Sequence, residues 1–154
     1  MRRRCWPPIY LVFWMSLLLT GPTNAQGQTS QNVIHVDIAG LRSDQGQMLC
    51  ALFPPSSGFP SKIQQAIALT RSPVANRTPV CEFSGIAPGR YAVSVVHDEN
   101  NNGKLDINFI GIPKEGVGSS NDAKGRFGPP KFDAAAFQYA GGRLVLKINM
   151  LYIF

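Results

Sequence analysis

Hydrophobic and polar residues alternate along several short stretches of the chain, a pattern that is typical of β-strands. The alternation is clearest at residues 33–38, 91–97 and 144–150. In the first stretch Ile34, Val36 and Ile38 share one face, with the period of two of a half-buried strand. Shorter apolar runs at residues 47–53 and 80–83 predict two further strands. The pattern therefore predicts an all-β chain of short strands.

Turn-forming residues separate these predicted strands. Residues 41–46 lie between the first two strands and favour a β-hairpin there. Two prolines follow the second strand and end it, because proline cannot continue a ladder. Residues 61–69 begin like a capping box and predict a short helix, while a strand over residues 66–70 is the alternative. Residues 132–137 predict a single helical turn.

The segment from residue 108 to residue 131 differs from the rest of the chain. It contains five glycines and three prolines and has little periodicity. A loop of this length in a small domain is uncommon and is usually functional or mobile. With about seven short strands and these connections, the chain predicts a single antiparallel β-sandwich that carries its loops at two ends.

The first 25 residues have the composition of a secretory leader. Three arginines precede an uncharged apolar run at residues 9–19, and small residues then lead to Ala25. This order predicts a signal peptide at residues 1–25 and an exported domain at residues 26–154, which would be periplasmic or extracellular. The apolar run of the leader is short for a helix that crosses a bilayer, which favours cleavage over retention as an anchor. We expect no transmembrane segment in the exported domain. An uncleaved anchor is the alternative.

The exported domain carries little net charge. The whole chain has 15 basic and 9 acidic residues, and the three leader arginines account for much of the difference. A weak positive balance, without a run of basic residues interleaved with aromatic ones, predicts no nucleic-acid partner.

Two cysteines, Cys50 and Cys81, remain in the exported domain, because Cys5 belongs to the leader. Each lies in an apolar, strand-like run and shares a face with large apolar neighbours. Because export permits oxidation, we predict a disulfide, worth roughly 3 to 4 kcal/mol for a loop of this length. Two buried free thiols are the alternative.

Oxygen-bearing side chains cluster after the strand at residues 91–97. The first, third, fifth, sixth, seventh and ninth positions of a calcium-loop pattern are matched by Asp98, Asn100, Asn102, Gly103, Lys104 and Asp106. Lys104 would contribute its carbonyl oxygen. Position twelve holds Phe109 instead of a glutamate, and Glu115 could fold back to supply the missing carboxylate. The pattern predicts a weak calcium site, with a Kd of roughly 10⁻⁴ to 10⁻³ M.

Turn chemistry explains the same residues without a cation. Asn102-Gly103 between two alternating strands is a strong hairpin signal. Asp and Asn side chains also cap turns by accepting hydrogen bonds from nearby backbone amides. The sequence leaves both interpretations open.

Two functional hypotheses follow from this region. His97 ends the core-facing row of its strand, and a hydrolytic enzyme would use it as a general base together with Asp98 and Glu115. The second hypothesis is a non-enzymatic binding or structural accessory module of the cell envelope, with an envelope protein or a glycan as its partner. The chain has neither a nucleophile elbow nor a phosphate-binding glycine motif, which favours the second hypothesis.

For such a module we predict one working surface, formed by the loops at residues 97–106 and 111–131. Its binding residues would include His97, Gly111, Lys114 and Phe132.

Several motifs carry a resemblance to known proteins. The segment FSGIAPGRYAVSV resembles the strand, Pro-Gly turn and strand of transthyretin-like and carboxypeptidase-regulatory-like domains. Together with HDENNNGKLD, FIGIPKEGVG and GPPKFDAAAF, the exported domain resembles an uncharacterised bacterial exported family known as domain of unknown function 2141. The resemblance implies export and an immunoglobulin-like or transthyretin-like sandwich, and it implies no activity.

Overall fold

The alternating stretches form β-strands in the computed structural model, which describes residues 32–55 and 58–153. Within these ranges eight strands occur: β1 Val33–Ala39, β2 Gln47–Phe53, β3 Ala68–Pro73, β4 Val80–Ser84, β5 Gly89–Asp98, β6 Gly116–Ser119, β7 Phe137–Tyr139 and β8 Arg143–Asn149. Helical structure in the same ranges is limited to 3-10 turns at Ile63–Gln65 and Ser120–Asp122 and one α-helical turn, α1, at Phe132–Ala135. The prediction of an all-β chain is confirmed.

The strands form two sheets. In the first, β1 lies between β4 and β8, antiparallel to β4 and parallel to β8. In the second, the order is β3-β2-β5-β6, every pair is antiparallel, and β7 pairs with the first residues of β5. The sandwich is therefore antiparallel except for the β1–β8 pair.

The facing sides of the two sheets bury one hydrophobic core. The first sheet contributes Ile34, Val36 and Ile148, and the second contributes residues such as Met48 and Leu52. Apolar area removed from water contributes about 25 cal/mol per Å², so this shared core is the main stabilising contact between the sheets.

The predicted disulfide is present. Cys50 of β2 and Cys81 of β4 are bonded, with their Cα atoms 6.5 Å apart. Because β2 and β4 belong to different sheets, the bond ties the two layers covalently through the core.

The predicted hairpin of the first two strands is wrong. β1 and β2 lie in different sheets, and β2 pairs with β3 and β5 instead. Both strands have apolar faces to bury, and each buries its face against the other's layer, so the segment between them crosses from one sheet to the other.

Residues 108–131 contain a strand that the glycine-rich sequence concealed. β6 holds Gly116 and Gly118, and a side chain at either position would collide with neighbours. A Cβ on Gly116 would lie 2.5 Å from the Tyr152 ring, and one on Gly118 would lie 2.8 Å from Ile148. Close packing leaves no room for side chains at these two positions. The strand therefore lacks the alternating hydrophobic pattern by which the other strands were predicted.

Two ambiguous segments resolve into short elements. Residues 61–69 contain a 3-10 turn at Ile63–Gln65 and then the start of β3, so each alternative was right over part of the segment. The single helical turn predicted after residue 131 is confirmed as α1.

The predicted leader at residues 1–25 lies outside the described residues. Among the residues that are described, no helix is long and apolar enough to cross a membrane.

Candidate functional site

The candidate site lies in the connection between β5 and β6. These strands pair antiparallel, with His97 opposite Gly116, so residues 99–115 leave and return at the same end of the sandwich. The connection is compact, as the sequence predicts. It is also longer than a tight hairpin, and part of it folds into a hairpin of its own.

This smaller element, here called the tip hairpin, comprises residues 106–114. Ile107 and Pro113 form an antiparallel bridge, and the Lys114 amide donates to the Asp106 carbonyl at 2.9 Å. At the turn, Asn108 Oδ1 accepts hydrogen bonds from the amides of Ile110 at 3.0 Å and Ile112 at 2.9 Å. An asparagine side chain therefore holds both sides of the turn.

Asp98 lies beneath the loop and is fully buried. Its Oδ1 accepts from the Asn102 amide at 3.0 Å, and its Oδ2 accepts from the Gly103 amide and from Gln47 Nε2, both at 2.8 Å. A carboxylate that accepts several hydrogen bonds from amides is well compensated for burial. The Asp98 carboxylate therefore fixes the first turn of the loop, because the backbone amides of that turn donate to it.

Glu115 braces the loop from the other side. The side chain is buried; Oε1 accepts from the Glu99 amide at 3.1 Å and Oε2 from the Asp106 amide at 2.9 Å. Glu115 reaches the Asp106 amide, and its role as a calcium ligand stays a prediction. Its two oxygens meet backbone amides at the base of the tip hairpin.

Two of the remaining predicted cation ligands, Asn100 and Asn102, direct their side-chain nitrogens at the third, Asp106. Its Oδ2 accepts from Asn100 Nδ2 at 2.7 Å and from Asn102 Nδ2 at 2.9 Å. The hydrogen bond from Asn100 and then that from Asn102 hold the pKa of Asp106 below its ordinary value, and the charges of Lys104 and Lys114 lower it further. The carboxylate is thus kept ionised by its neighbours.

The two asparagines also shape the backbone. Asn100 Oδ1 accepts from the Asn102 amide, and Asn102 Oδ1 accepts from the Lys104 amide, each at 3.0 Å. Across the described residues, no group of three or more His, Cys, Asp and Glu side chains is placed to hold a metal ion. In this conformation the candidate ligands satisfy one another, as the turn interpretation expects, and the calcium site stays a prediction.

His97 is fully buried beneath the rim of the sheet. Its Nε2 lies 2.8 Å from the Gln45 carbonyl, which can only accept, so Nε2 carries the proton. Nδ1 lies 2.7 Å from the Tyr152 hydroxyl and shares a hydrogen bond with it. Both ring nitrogens are therefore occupied, and neither faces solvent as a base.

Arg42 and Tyr152 complete the support below the loop, and sequence reasoning missed both. Arg42 Nε donates to Glu99 Oε1 at 3.1 Å, Arg42 Nη2 donates to the Lys114 carbonyl at 3.2 Å, and the guanidinium lies 4.6 Å from the centre of the Tyr152 ring. The hydrogen bond from Arg42 lowers the pKa of Glu99. The alternating C-terminal run could have indicated that Tyr152 faces inward, whereas nothing local indicates Arg42.

The predicted binding residues do not form one surface. Gly111 and Lys114 are exposed on the tip hairpin, while His97 is buried below it. The Phe132 ring lies against Phe59 and beneath the Arg90 guanidinium, near the start of β5. From Arg90 to the end of β5 the strand extends roughly 26 Å at the usual rise per residue.

The course of β6 explains this separation. Gly116 pairs with His97 and Ser119 with Ser94, so β6 leads the chain away from the tip hairpin. The two loops expected to share one surface therefore diverge.

The tip hairpin also exposes large apolar side chains. Phe109 is 98% exposed, Ile110 63% and Ile107 54%. Sequence reasoning treated Phe109 only as a failed calcium ligand and did not predict this feature.

Comparison with known proteins identifies a family. The family model described as "Uncharacterized protein conserved in bacteria (DUF2141)" matches residues 36–146. The resemblance noted in the sequence motifs is confirmed. Neither the curated proteins nor the solved structures provided a match.

Proposed function

Because the chain belongs to the bacterial family DUF2141, which has no characterised activity, we propose its function from the site: an exported, non-enzymatic module that presents a braced loop to a partner in the cell envelope. The observation that carries the proposal is the use of Asp98 and Glu115. Their buried carboxylates accept hydrogen bonds from backbone amides of the loop itself. An envelope protein or a glycan, as predicted from the sequence, would meet this surface.

The same contacts disfavour the hydrolytic alternative. A general base needs a lone pair within reach of a substrate proton. In the set of His97, Asp98 and Glu115, each side chain is buried and its polar atoms are already hydrogen-bonded within the protein. Chemistry at these residues would require the support of the loop to come apart.

We also propose that calcium binds the loop weakly. Asn100, Asn102 and Asp106 already meet at one carboxylate oxygen, and Asp98 accepts from the amides of Asn102 and Gly103 in the same loop. A cation at that point must displace two amide donors, which explains why affinity would lie near 10⁻⁴ to 10⁻³ M. Its role would be to stiffen the base of the tip hairpin.

Thermal unfolding in 10 mM calcium and in chelator tests this part of the proposal. For a Kd near 1 mM, linkage predicts a stabilisation of about 1.4 kcal/mol, or roughly 3 to 6 °C in the midpoint. Asp106→Asn should abolish the shift, and Asp133→Asn, which changes an exposed carboxylate on α1, should retain it. An equal midpoint in calcium and in chelator would remove the cation from the proposal.

Export is supported by the basic start and apolar run of the leader and by the disulfide, since disulfides persist in oxidising compartments. Fusing residues 1–40 to a phosphatase that is active only outside the cytoplasm should give activity. Replacing Arg2, Arg3 and Arg4 with glutamate should reduce it. An inactive parent fusion would contradict export.

A further inference from the structure

The tip hairpin projects three large apolar side chains into solvent. Phe109 and Ile110 lie at the turn itself, and Ile107 lies one position before Asn108. Single exposed apolar residues are common on protein surfaces, whereas a group of them on one protruding element indicates an interaction site.

The hairpin holds these side chains outward. Asn108 fixes the turn through two hydrogen bonds, and Glu115 fixes the base through the Asp106 amide. Arg42 adds a bond to the Lys114 carbonyl. An element held in its binding conformation loses less conformational freedom when it binds.

The charges that face outward around the hairpin are mainly positive. Lys104 and Lys114 are exposed, and neither forms an ion pair with any described residue. Arg71 lies beside Gly103: a Cβ added to Gly103 would be 3.7 Å from Arg71 Nη2. Asp106 is a partly exposed carboxylate whose pKa is lowered by the hydrogen bonds from Asn100 and Asn102 and by the charges of both lysines.

Each acidic group of the loop accepts hydrogen bonds from the protein, and Asp106 among them stays partly exposed. Asp106 Oδ2 accepts from two asparagines, Glu99 pairs with Arg42, and Asp98 and Glu115 are buried. The outer surface therefore combines an apolar tip with a cationic border.

We infer that the tip hairpin docks on an anionic phospholipid surface, with Phe109 and Ile110 entering the interfacial layer and Lys104 and Lys114 contacting lipid phosphates. Apolar side chains bordered by basic ones are the composition of interfacial membrane contacts. The inference rests on the proposed function, because it keeps the same loop as the binding element, but it assigns membrane lipid as the partner in place of the protein or glycan predicted from the sequence.

The shape and chemistry of the hairpin favour lipid over the other candidate partners. A glycan needs polar groups that are free to bond its hydroxyls, whereas here Asn100, Asn102, Asp106 and Asn108 already form hydrogen bonds within the loop. A protein partner would need a groove that accepts a protruding tip, whereas a lipid interface accepts one without a preformed cavity.

Vesicle sedimentation tests the inference. The exported protein, purified after removal of its leader, should bind vesicles of phosphatidylcholine with one quarter phosphatidylglycerol and should bind pure phosphatidylcholine weakly. Phe109→Ala should reduce binding on the order of 10- to 100-fold. Lys104→Gln and Lys114→Gln should each reduce it about fivefold, and high salt should weaken binding of the parent protein. Unchanged thermal midpoints would show that the variants are folded.

Phe127→Ala is the matched control. Phe127 is 102% exposed and follows two basic residues, Lys124 and Arg126. Unlike Phe109, it lies on the loop that follows β6. Its loss should change binding by less than about twofold. Equal losses for the two phenylalanine variants, no effect of Phe109→Ala, or no binding to either vesicle would overturn the inference. A tip that captures an envelope protein but no vesicles would do the same.

Calcium and chelator arms separate this inference from the proposed function. Vesicle binding without a calcium shift in the thermal midpoint would keep the lipid partner and remove the cation. A calcium shift without vesicle binding would keep the cation and overturn the lipid partner.

Discussion

The tip hairpin and the loop at residues 124–131 have similar compositions but different support. Each exposes a phenylalanine beside basic residues, Phe109 in one and Phe127 in the other. The backbone of the tip hairpin forms hydrogen bonds at its turn and at its base, and two of these join it to side chains outside it, Arg42 and Glu115. Within the described residues, no hydrogen bond holds residues 124–130.

The difference shows that composition alone does not define a binding element. Glu115 and Arg42 hold the base of the tip hairpin, and Asp98 holds the adjoining amides of Asn102 and Gly103. Loop 124–131 has no equivalent among the described residues. Because ordering a segment on binding costs about 0.5 to 1.5 kcal/mol per side chain, the braced element is the better candidate for recognition.

Removal of the Glu115 side chain should have the largest effect on the difference in support between the tip hairpin and loop 124–131. Glu115→Ala leaves the Glu99 and Asp106 amides without an acceptor in a buried position, so the free energy of unfolding should fall by about 2 to 4 kcal/mol. Hydrogen exchange should accelerate in residues 99–114 and stay unchanged in loop 124–131. Asp133→Ala, which removes an exposed carboxylate paired with Arg90, should cost less than about 0.5 kcal/mol. Similar losses for the two variants would contradict the role of Glu115.

A smaller effect is expected at the turn of the tip hairpin. Asn108→Ala removes the acceptor for the Ile110 and Ile112 amides, which are near solvent, and should cost about 1 kcal/mol. Exchange should increase at these two amides while residues 99–105 remain protected. Asn121→Ala offers a comparison. The Asn121 side chain likewise forms two bonds with the backbone, but it donates them to the Ala134 and Ala136 carbonyls, outside the tip hairpin. If exchange at Ile110 and Ile112 stayed slow, the side chain would not be what holds the turn.

The smallest effect is expected from acid. The hydrogen bond from Arg42 lowers the pKa of Glu99 from its ordinary value of 4.5, so the folded state binds this proton less readily than the unfolded chain. The stabilisation is complete above pH 4.5 and is lost as the pH falls through the lower folded value. Because the Arg42 side chain is 40% exposed, solvent screens the pair and the loss is modest.

Thermal midpoints measured between pH 6 and pH 3 check this prediction. The parent protein should lose more stability over this range than Glu99→Gln does. Parallel curves for the two proteins would show that the Arg42 contact contributes nothing to the support of the loop.

Part of the candidate site could be predicted from local sequence. The spacing of Asp98, Asn100, Asn102 and Asp106 indicates a wound loop of oxygen ligands, and the loop is wound by those side chains. Arg42 and Tyr152 could not be predicted in the same way. They contact each other across 110 positions of the chain, a distance over which no local pattern carries information.

The amino-acid sequence by itself determined five of the eight described strands, the cysteine pair and the polar loop, because alternation, proline and Asx chemistry act between neighbours along the chain. Only the tertiary structure decided that β1 and β2 lie in opposite sheets, that glycines form β6, and that Phe132 lies far from the tip hairpin. These features depend on which apolar faces bury each other and on how closely backbones approach. Such choices are settled by packing of the whole domain.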